Sequence, residues 1–294
     1  MKNLLYTTLI ALVLIGCSNS DDSLEAPSDV TSVNAESRIG GALVKWSIPA
    51  DAKYTYLAIK YLKNGKQVVE KASKYTDTLL VKGLINKEEF SFDIQSVNET
   101  PSMMTTGNLL TSNTVRPIRR APDITYYPDE LEKLLVTNDM IDTYTQETSE
   151  GPKSNLLDGD PSTYWHSAWS SGVAPLPHWI QINFDEPTDL GAIKYWFRNN
   201  SDTRGRPTQW GLETSEDGVT WERVWESNAN LPITDNTVEH SVGFDKNYTA
   251  THFRVMILAN ASGNFAHLGE ISFYKMAARI VDKEAEAEEI YYNY

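Results

Sequence analysis

His178-Trp179-Ile180-Gln181-Ile182-Asn183-Phe184 alternates side chains with a period of two, placing Ile180, Ile182 and Phe184 on one face and Gln181 and Asn183 on the other. Successive side chains of a strand point to opposite faces, so this is the pattern of a half-buried strand. The same pattern recurs outward from it. Ala192 to Arg198 alternates, and Thr220-Trp221-Glu222-Arg223-Val224-Trp225 follows the turn Ser215-Glu216-Asp217-Gly218. Asp-Gly between alternating runs signals a hairpin. His252 to Ile257 and Gly269 to Tyr274 close the series. The second half of the chain is therefore read as all-β.

The first third has the same character. Ala42-Leu43-Val44-Lys45-Trp46, Tyr54 to Leu62 (Leu57, Ile59 and Tyr61 on one face), Asp77 to Val81 and Phe90 to Val97 are short alternating runs separated by turn residues. Turn signals at roughly 8–12-residue spacing argue for an antiparallel sandwich. Residues 27–117 resemble a fibronectin type III module, with Ala26-Pro27 at the entry, Trp46 late in the second strand and Gly83-Leu84 before the sixth. Phe90 stands where that family carries a tyrosine. Trp46 is either core or ligand platform, and the module reads as a spacer or a protein-contact surface. Residues 118–136 read as a linker stiffened by Pro122 and Pro128 and preceded by Pro117. Pro128 fits the first turn of a short helix bearing Leu131, Leu134 and Leu135, with Asp129 and Glu130 near its positive end. Arg116, Arg119 and Arg120 form a basic trio, for an anionic glycan or for nearby acidic residues. The acidic tail, residues 277–294, reads as a frayed helix without an assigned role.

The chain has 294 residues and a net charge of −14. That excludes a nucleic-acid binder, whose affinity rests on Lys and Arg neutralising phosphates. The single cysteine excludes an intrachain disulfide and a cysteine-based zinc site. It lies in MKNLLYTTLIALVLIGC, where a basic start precedes a short apolar run and then small residues, the layout of an export signal. The run is too short to stay in a bilayer as a spanning helix, which needs about 20 residues. Leu14-Ile15-Gly16-Cys17 resembles the bacterial lipobox. The resemblance implies a signal peptide over 1–16, lipidation of Cys17 and a tether over 17–26. Asp21-Asp22 resembles the export tag of Bacteroidetes-type surface lipoproteins, implying an outer-membrane protein displayed at the cell surface and held by a lipid anchor.

Seven of the eight tryptophans lie between Trp165 and Trp225, which draws attention to the second half. Leu157-Asp158-Gly159-Asp160-Pro161-Ser162-Thr163-Tyr164-Trp165-His166, Pro177-His178-Trp179-Ile180, Ser215-Glu216-Asp217-Gly218-Val219-Thr220-Trp221, Phe253-Arg254-Val255 and Leu268-Gly269-Glu270-Ile271 occur in that order. With these pieces, residues 137–276 resemble the F5/8 type C (discoidin) family and, within it, the family 32 carbohydrate-binding modules. The resemblance implies a discoidin-like jelly-roll β-sandwich after the first sandwich.

Asp158-Gly159-Asp160 is a turn by composition, and the resemblance adds a structural Ca²⁺ there, a hard ion that takes oxygen ligands. It implies side-chain oxygens from Asp158 and Glu270, mainly backbone oxygens from Asn155, Asp160 and Gly269, and the Thr163 hydroxyl. A pyranose presents an apolar face and a rim of hydroxyls, so its site needs an exposed aromatic surface and fixed polar groups. His166 and Trp169 lie three apart past a strand, Arg198 ends another and opens a polar loop, and Asn264-Phe265 lies in a glycine-containing loop. In galactose-binding relatives the positions matching His166, Trp169 and Arg198 contact sugar, and those near Glu150, Asn200 and Phe265 contribute less consistently. Each has a plain alternative: Trp169 as core, His166 as partner of a buried backbone group, Arg198 paired with Glu213 or Asp202. His178 and His267 read as structural. Arg204 and Arg206 stand where galactose binders carry an acidic or amide residue, which opens an acidic saccharide or a positive rim.

No nucleophile elbow, phosphate-cradling glycine loop or His-Glu-x-x-His motif is present. The expected function is thus a non-catalytic surface lipoprotein that captures glycans, with other surface glycan-uptake proteins as possible partners. The alternatives are an adhesin or assembly component that binds protein, and an accessory part of a glycoside-hydrolase system.

Overall fold

The computed structural model describes residues 24–293; the leader, Cys17 and the first part of the tether lie outside them. The chain divides into two compact units. Residues up to Asp123 together with those from Asp282 onward form one, and Ile124–Val281 the other. Both are built from strands, as expected.

The first unit contains β1 (Val33–Arg38), β2 (Gly41–Trp46), β3 (Tyr56–Lys63), β4 (Lys66–Ser73), β5 (Thr78–Lys82), β6 (Asp93–Glu99) and β7 (Met104–Thr111). They form one sheet ordered β1-β2-β5 and another ordered β4-β3-β6-β7, all pairs antiparallel. The alternation in the sequence sets the inner faces: Ala42, Val44 and Trp46 from β2 meet Leu57, Ile59 and Tyr61 from β3 in one buried cluster. Trp46 is core, at 5% exposure.

The second unit contains β8 (Asp123–Lys133), β9 (Ile141–Thr143), a 3-10 turn over Lys153–Leu156, β10 (Trp165–His166), β11 (His178–Trp196), β12 (Pro207–Ser215), β13 (Glu222–Glu226), β14 (His240–Asn260), β15 (His267–Leu268) and β16 (Glu270–Val281). β11 and β14 pair along most of their length and bend at register shifts between Asn183 and Thr188. Before the bend β11 also pairs with β9, and beyond it with β16, so one strand serves two parts of the sandwich. Trp165, Ile193, Phe197, Trp210, Phe253 and Phe273 fill the interior; truncating one such aromatic to alanine typically costs ~3–5 kcal/mol.

Three expectations are corrected. The linker with a short helix over 118–136 contains β8, an edge strand beside β16. The helix signals after Pro128 are local, and sheet pairing overrides them. The unit accordingly begins before residue 137 and extends beyond 276. The acidic tail is β16 up to Val281 and then α1 (Lys283–Asn293), which packs in the first unit rather than fraying. Asp282 caps α1, its Oδ1 accepting from the N–H groups of Glu284 and Ala285 at 3.0 and 3.2 Å. The basic trio is consumed by carboxylates: Arg116 with Glu89, Arg119 with Asp282 and Arg120 with Glu284.

Candidate functional site

β10 and β15 are each two residues long, and their pairing sets His166 opposite His267. The loop before β10 folds close behind it. Gly151, at φ 60°, accepts the His166 N–H on its carbonyl at 3.0 Å. A Cβ there would stand 2.6 Å from that nitrogen, so only glycine permits the approach. His166 is 4% exposed and its Nδ1–H donates to the Ser167 carbonyl at 2.7 Å. That bond fixes the tautomer and leaves Nε2 as an acceptor. Burial lowers the His166 pKa, so the ring is neutral at pH 7.

Glu147 organises the next loop. Its carboxylate accepts from the N–H groups of Trp169 (3.1 Å) and Ser170 (3.0 Å) and from the Ser170 hydroxyl (2.8 Å). The Ser170 and Trp169 amides hold it well below the usual carboxylate range. The loop so held presents Trp169 at 48% exposure, and the indole N–H donates to Glu150 Oε1 at 2.9 Å. Glu150 Oε2 accepts from Tyr164 Oη at 2.6 Å, which with the Trp169 bond lowers the Glu150 pKa. The Arg198 guanidinium lies 3.5 Å from the Tyr164 ring centroid, and its Nη2 is 4.0 Å from Glu150 Oε2, too long for a hydrogen bond.

On the facing side, Arg204 forks onto Asp202 at 2.7–3.1 Å. Phe265 lies 5.2 Å from His166, ring to ring. Gly205, at φ 73°, lets it in, since a Cβ there would come within 2.8 Å of the Phe265 ring. His267 is 1% exposed, and burial followed by the neighbouring His166 pushes its pKa down to about 4.

Glu150, His166, Trp169, Arg198, Asp202, Arg204, Phe265 and His267 line one hollow of about 260 Å³. Small-molecule sites run roughly 300–1,000 Å³, so this one suits a single sugar ring. The structure thus gathers five of the seven residues expected to contact sugar. Asn200 and Asn264 are not among those lining residues. The Asn200 carbonyl accepts from Arg206 and Asn236. Asn264 is exposed and its carbonyl accepts from His178 Nε2 at 3.1 Å. Both have become loop braces. Arg206 is not a rim residue either: it is 2% exposed. Asp202, His267 and the supports Glu147 and Tyr164 were missed. The place of His267 beside Leu268-Gly269-Glu270 was its only sequence signal.

The residues expected to hold calcium lie together in part. Thr163 Oγ1 donates to Asp158 Oδ2 at 2.8 Å, and Gly159 N–H donates to Glu270 Oε1 at 2.9 Å. Burial, then the adjoining Asp158 carboxyl, raises the Glu270 pKa to about 8. Two carboxyls in contact call for a shared proton or a cation. The Asp160 carbonyl faces Thr163, while its carboxylate turns to Ser162. The Asn155 side chain donates to the Tyr164 carbonyl, and Gly269 N–H to that of Trp196. Among the described residues no three acidic, histidine or cysteine side chains converge as for a metal. Backbone and hydroxyl oxygens would therefore have to complete a calcium shell.

Residues 141–271 match the F5/8 type C domain family. Residues 27–108 match a different family, described as a domain of unknown function (DUF4959). A sialidase from Micromonospora viridifaciens is 34% identical over 84 residues, 28% of this chain and 13% of that protein. The chain thus spans only about an eighth of that relative. Among solved structures, the module CpGH89CBM32-5 from Clostridium perfringens, in complex with GalNAc-beta-1,3-galactose, is 21% identical and covers 51% of this chain and 99% of its own, with a TM-score of 0.39. The family 32 module of C. perfringens NanJ, in complex with galactose, is 22% identical and covers 52% and 100%, with a TM-score of 0.38.

Proposed function

We propose that this chain binds saccharide without transforming it, through the F5/8 type C domain, and that its ligand is a neutral pyranose of the galactose type. One observation carries the reading: an exposed indole, fixed by its own N–H, stands beside a hydrogen-bond acceptor and a fork of donors around one small hollow. The indole face takes the apolar side of a sugar ring. His166 Nε2 accepts from a hydroxyl to which the Arg198 fork can donate, so one hydroxyl is read from both sides. Charge favours a neutral ligand over an acidic one. Arg204 is matched by Asp202, Arg198 stands beside Glu150, and both histidines are neutral. Of the two residues expected to form a positive rim, Arg204 is paired with Asp202 and Arg206 is buried beneath the loop.

A glycan array probed with the full chain tests this. Terminal galactose-type glycans should be retained, and Trp169→Ala should weaken them at least tenfold, ~1.4 kcal/mol. Retention of acidic glycans alone would remove the neutral-ligand reading, and no retention of any glycan would remove saccharide binding.

Calcium belongs to the same proposal. Asp158, Glu270, the Thr163 hydroxyl and carbonyls of the Asp158-Gly159-Asp160 turn supply hard oxygen donors, which suit Ca²⁺. Bound there, the ion would neutralise the paired carboxyls and tie the turn to β16. Millimolar calcium should raise the melting temperature of the second unit and EDTA should reverse it; identical melting in both sinks the idea. We further propose a lipid on Cys17, on the strength of Leu14-Ile15-Gly16-Cys17, and display at the outer cell surface, on the strength of Asp21-Asp22. Metabolic labelling with a fatty acid should mark the wild type and leave Cys17→Ser unlabelled.

A further inference from the structure

Arg206 is 2% exposed, and among the described residues no carboxylate stands within ion-pair distance of it, the Asp202 charge acting on it only from further off. Taking a guanidinium out of water is costly, and proteins normally compensate it with an anion. Here two backbone carbonyls do so. Nη1 donates to Ile233 O at 2.6 Å and Nη2 to Asn200 O at 2.7 Å, while the guanidinium lies 5.2 Å from the Phe197 ring centroid. Both carbonyls belong to irregular loops. Asn236 Nδ2 adds a second bond to the Asn200 carbonyl at 3.1 Å, which fastens the same pair of loops. The backbone of Arg206 reaches a third loop, its carbonyl accepting from Ala261 N–H at 3.0 Å. Next to it, Gly205 N–H donates to Ser262 O at 3.0 Å.

The loop supported in this way runs from Arg198 to Arg206 and carries Arg198, Asp202 and Arg204 into the hollow. The loop fastened at 261–262 leads to Phe265. A segment that must bulge to surround a ligand gives up ladder hydrogen bonds, and its carbonyls need other partners. Arg206 supplies them from beneath.

We infer that Arg206 is a positioning residue of the saccharide site: from a buried position it braces the 198–206 loop against the loop containing Ile233 and sets the placing of Arg198, Asp202 and Arg204. This rests on the saccharide reading of the hollow, but the brace has a readout of its own. In the full chain, Arg206→Met, which keeps a long unbranched stem and removes the donors, should speed amide hydrogen exchange across residues 199–206. It should also weaken binding of a galactose-terminated probe at least tenfold. Arg206→Lys, which can restore one of the two bonds, should fall between Arg206→Met and wild type in both measurements. Met276→Ala is the control for general destabilisation, since Met276 is buried in the same unit and does not line the hollow. It should lower the melting temperature yet leave affinity and loop exchange at wild-type values. Unchanged exchange in Arg206→Met overturns the brace. Equal losses in Met276→Ala overturn it too, because the effect would then be global. If the wild type retains no probe, the saccharide reading fails, and exchange alone still decides whether Arg206 holds the loop.

Discussion

Deleting residues 282–294 should unfold the first unit or lower its stability by several kcal/mol, and Glu284→Ala alone should cost about 3–5 kcal/mol, the usual loss when one partner of a buried ion pair is removed. Glu284 has no exposed surface. Its carboxylate accepts from Asn86 N–H at 2.7 Å, from Arg120 N–H at 3.0 Å and from Arg120 Nη1 at 2.8 Å. Arg120 passes the contact on, donating through Nη2 to Leu84 O at 3.1 Å and to Gly40 O at 3.3 Å. Within the last turn of α1, Tyr291 is 2% exposed. Its hydroxyl donates to Glu88 Oε2 at 2.6 Å and accepts from Asn64 N–H at the same distance. Its ring meets Phe90 edge-on, 6.5 Å between centroids. The residue that replaces the expected tyrosine in the first sandwich is thus covered by a tyrosine from the other end of the chain. Chemical denaturation followed through the first unit checks this. A loss below about 1 kcal/mol for Glu284→Ala would reduce α1 to a surface decoration.

That closure was invisible in sequence for a physical reason. Four glutamates within seven residues of α1 look like a solvated face, and nothing local marks the one that is buried. The pairing of Glu284 with Arg120 spans 164 residues and belongs to no periodicity. Where periodicity does carry the information, reading succeeded: Ile180, Ile182, Val255 and Ile257 are all fully buried, as alternation requires. It failed at β8, whose residues are mostly exposed because the strand lies at a sheet edge, so alternation is faint and Pro128 with its acidic neighbours resembles a helix start. In the site, side chains that line the hollow were legible because indole, imidazole and guanidinium are groups that would suit a sugar chemically. Asn200 and Asn264 misled because their side chains suit sugar equally well, while it is their carbonyls that the fold uses. Glu147 and Arg206 act on backbone groups of loops, and no residue-type pattern announces that.

His166→Phe should weaken saccharide binding about 100-fold, ~2.7 kcal/mol, and should abolish a dependence on pH that the wild type shows. The substitution keeps an aromatic ring against Phe265 and His267 but removes both ring nitrogens. The ligand loses its acceptor at Nε2, and the Ser167 carbonyl loses its donor in a fully buried position; each such loss costs ~1–3 kcal/mol. The sign with pH follows from the tautomer. With Nδ1–H committed to Ser167, a second proton must go to Nε2, turning the acceptor into a donor beside the Arg198 cation. Burial pulls the His166 pKa below 6.5, against upward pulls from the bond to the Ser167 carbonyl and from Glu150 and Glu147, and with a further downward push from Arg198. Glu150 is itself held low, chiefly by Tyr164. Ligand accepted by neutral Nε2 lowers the pKa of the complex further. Affinity should therefore be level above about pH 6.5 and fall as pH drops below the His166 pKa, by up to about tenfold per unit. Titration calorimetry of wild type and His166→Phe between pH 4.5 and 8 separates the cases. Tighter binding in acid, or a pH profile that survives in His166→Phe, would mean that His166 does not accept from the sugar, and the hydroxyl would have to be read by Arg198 alone.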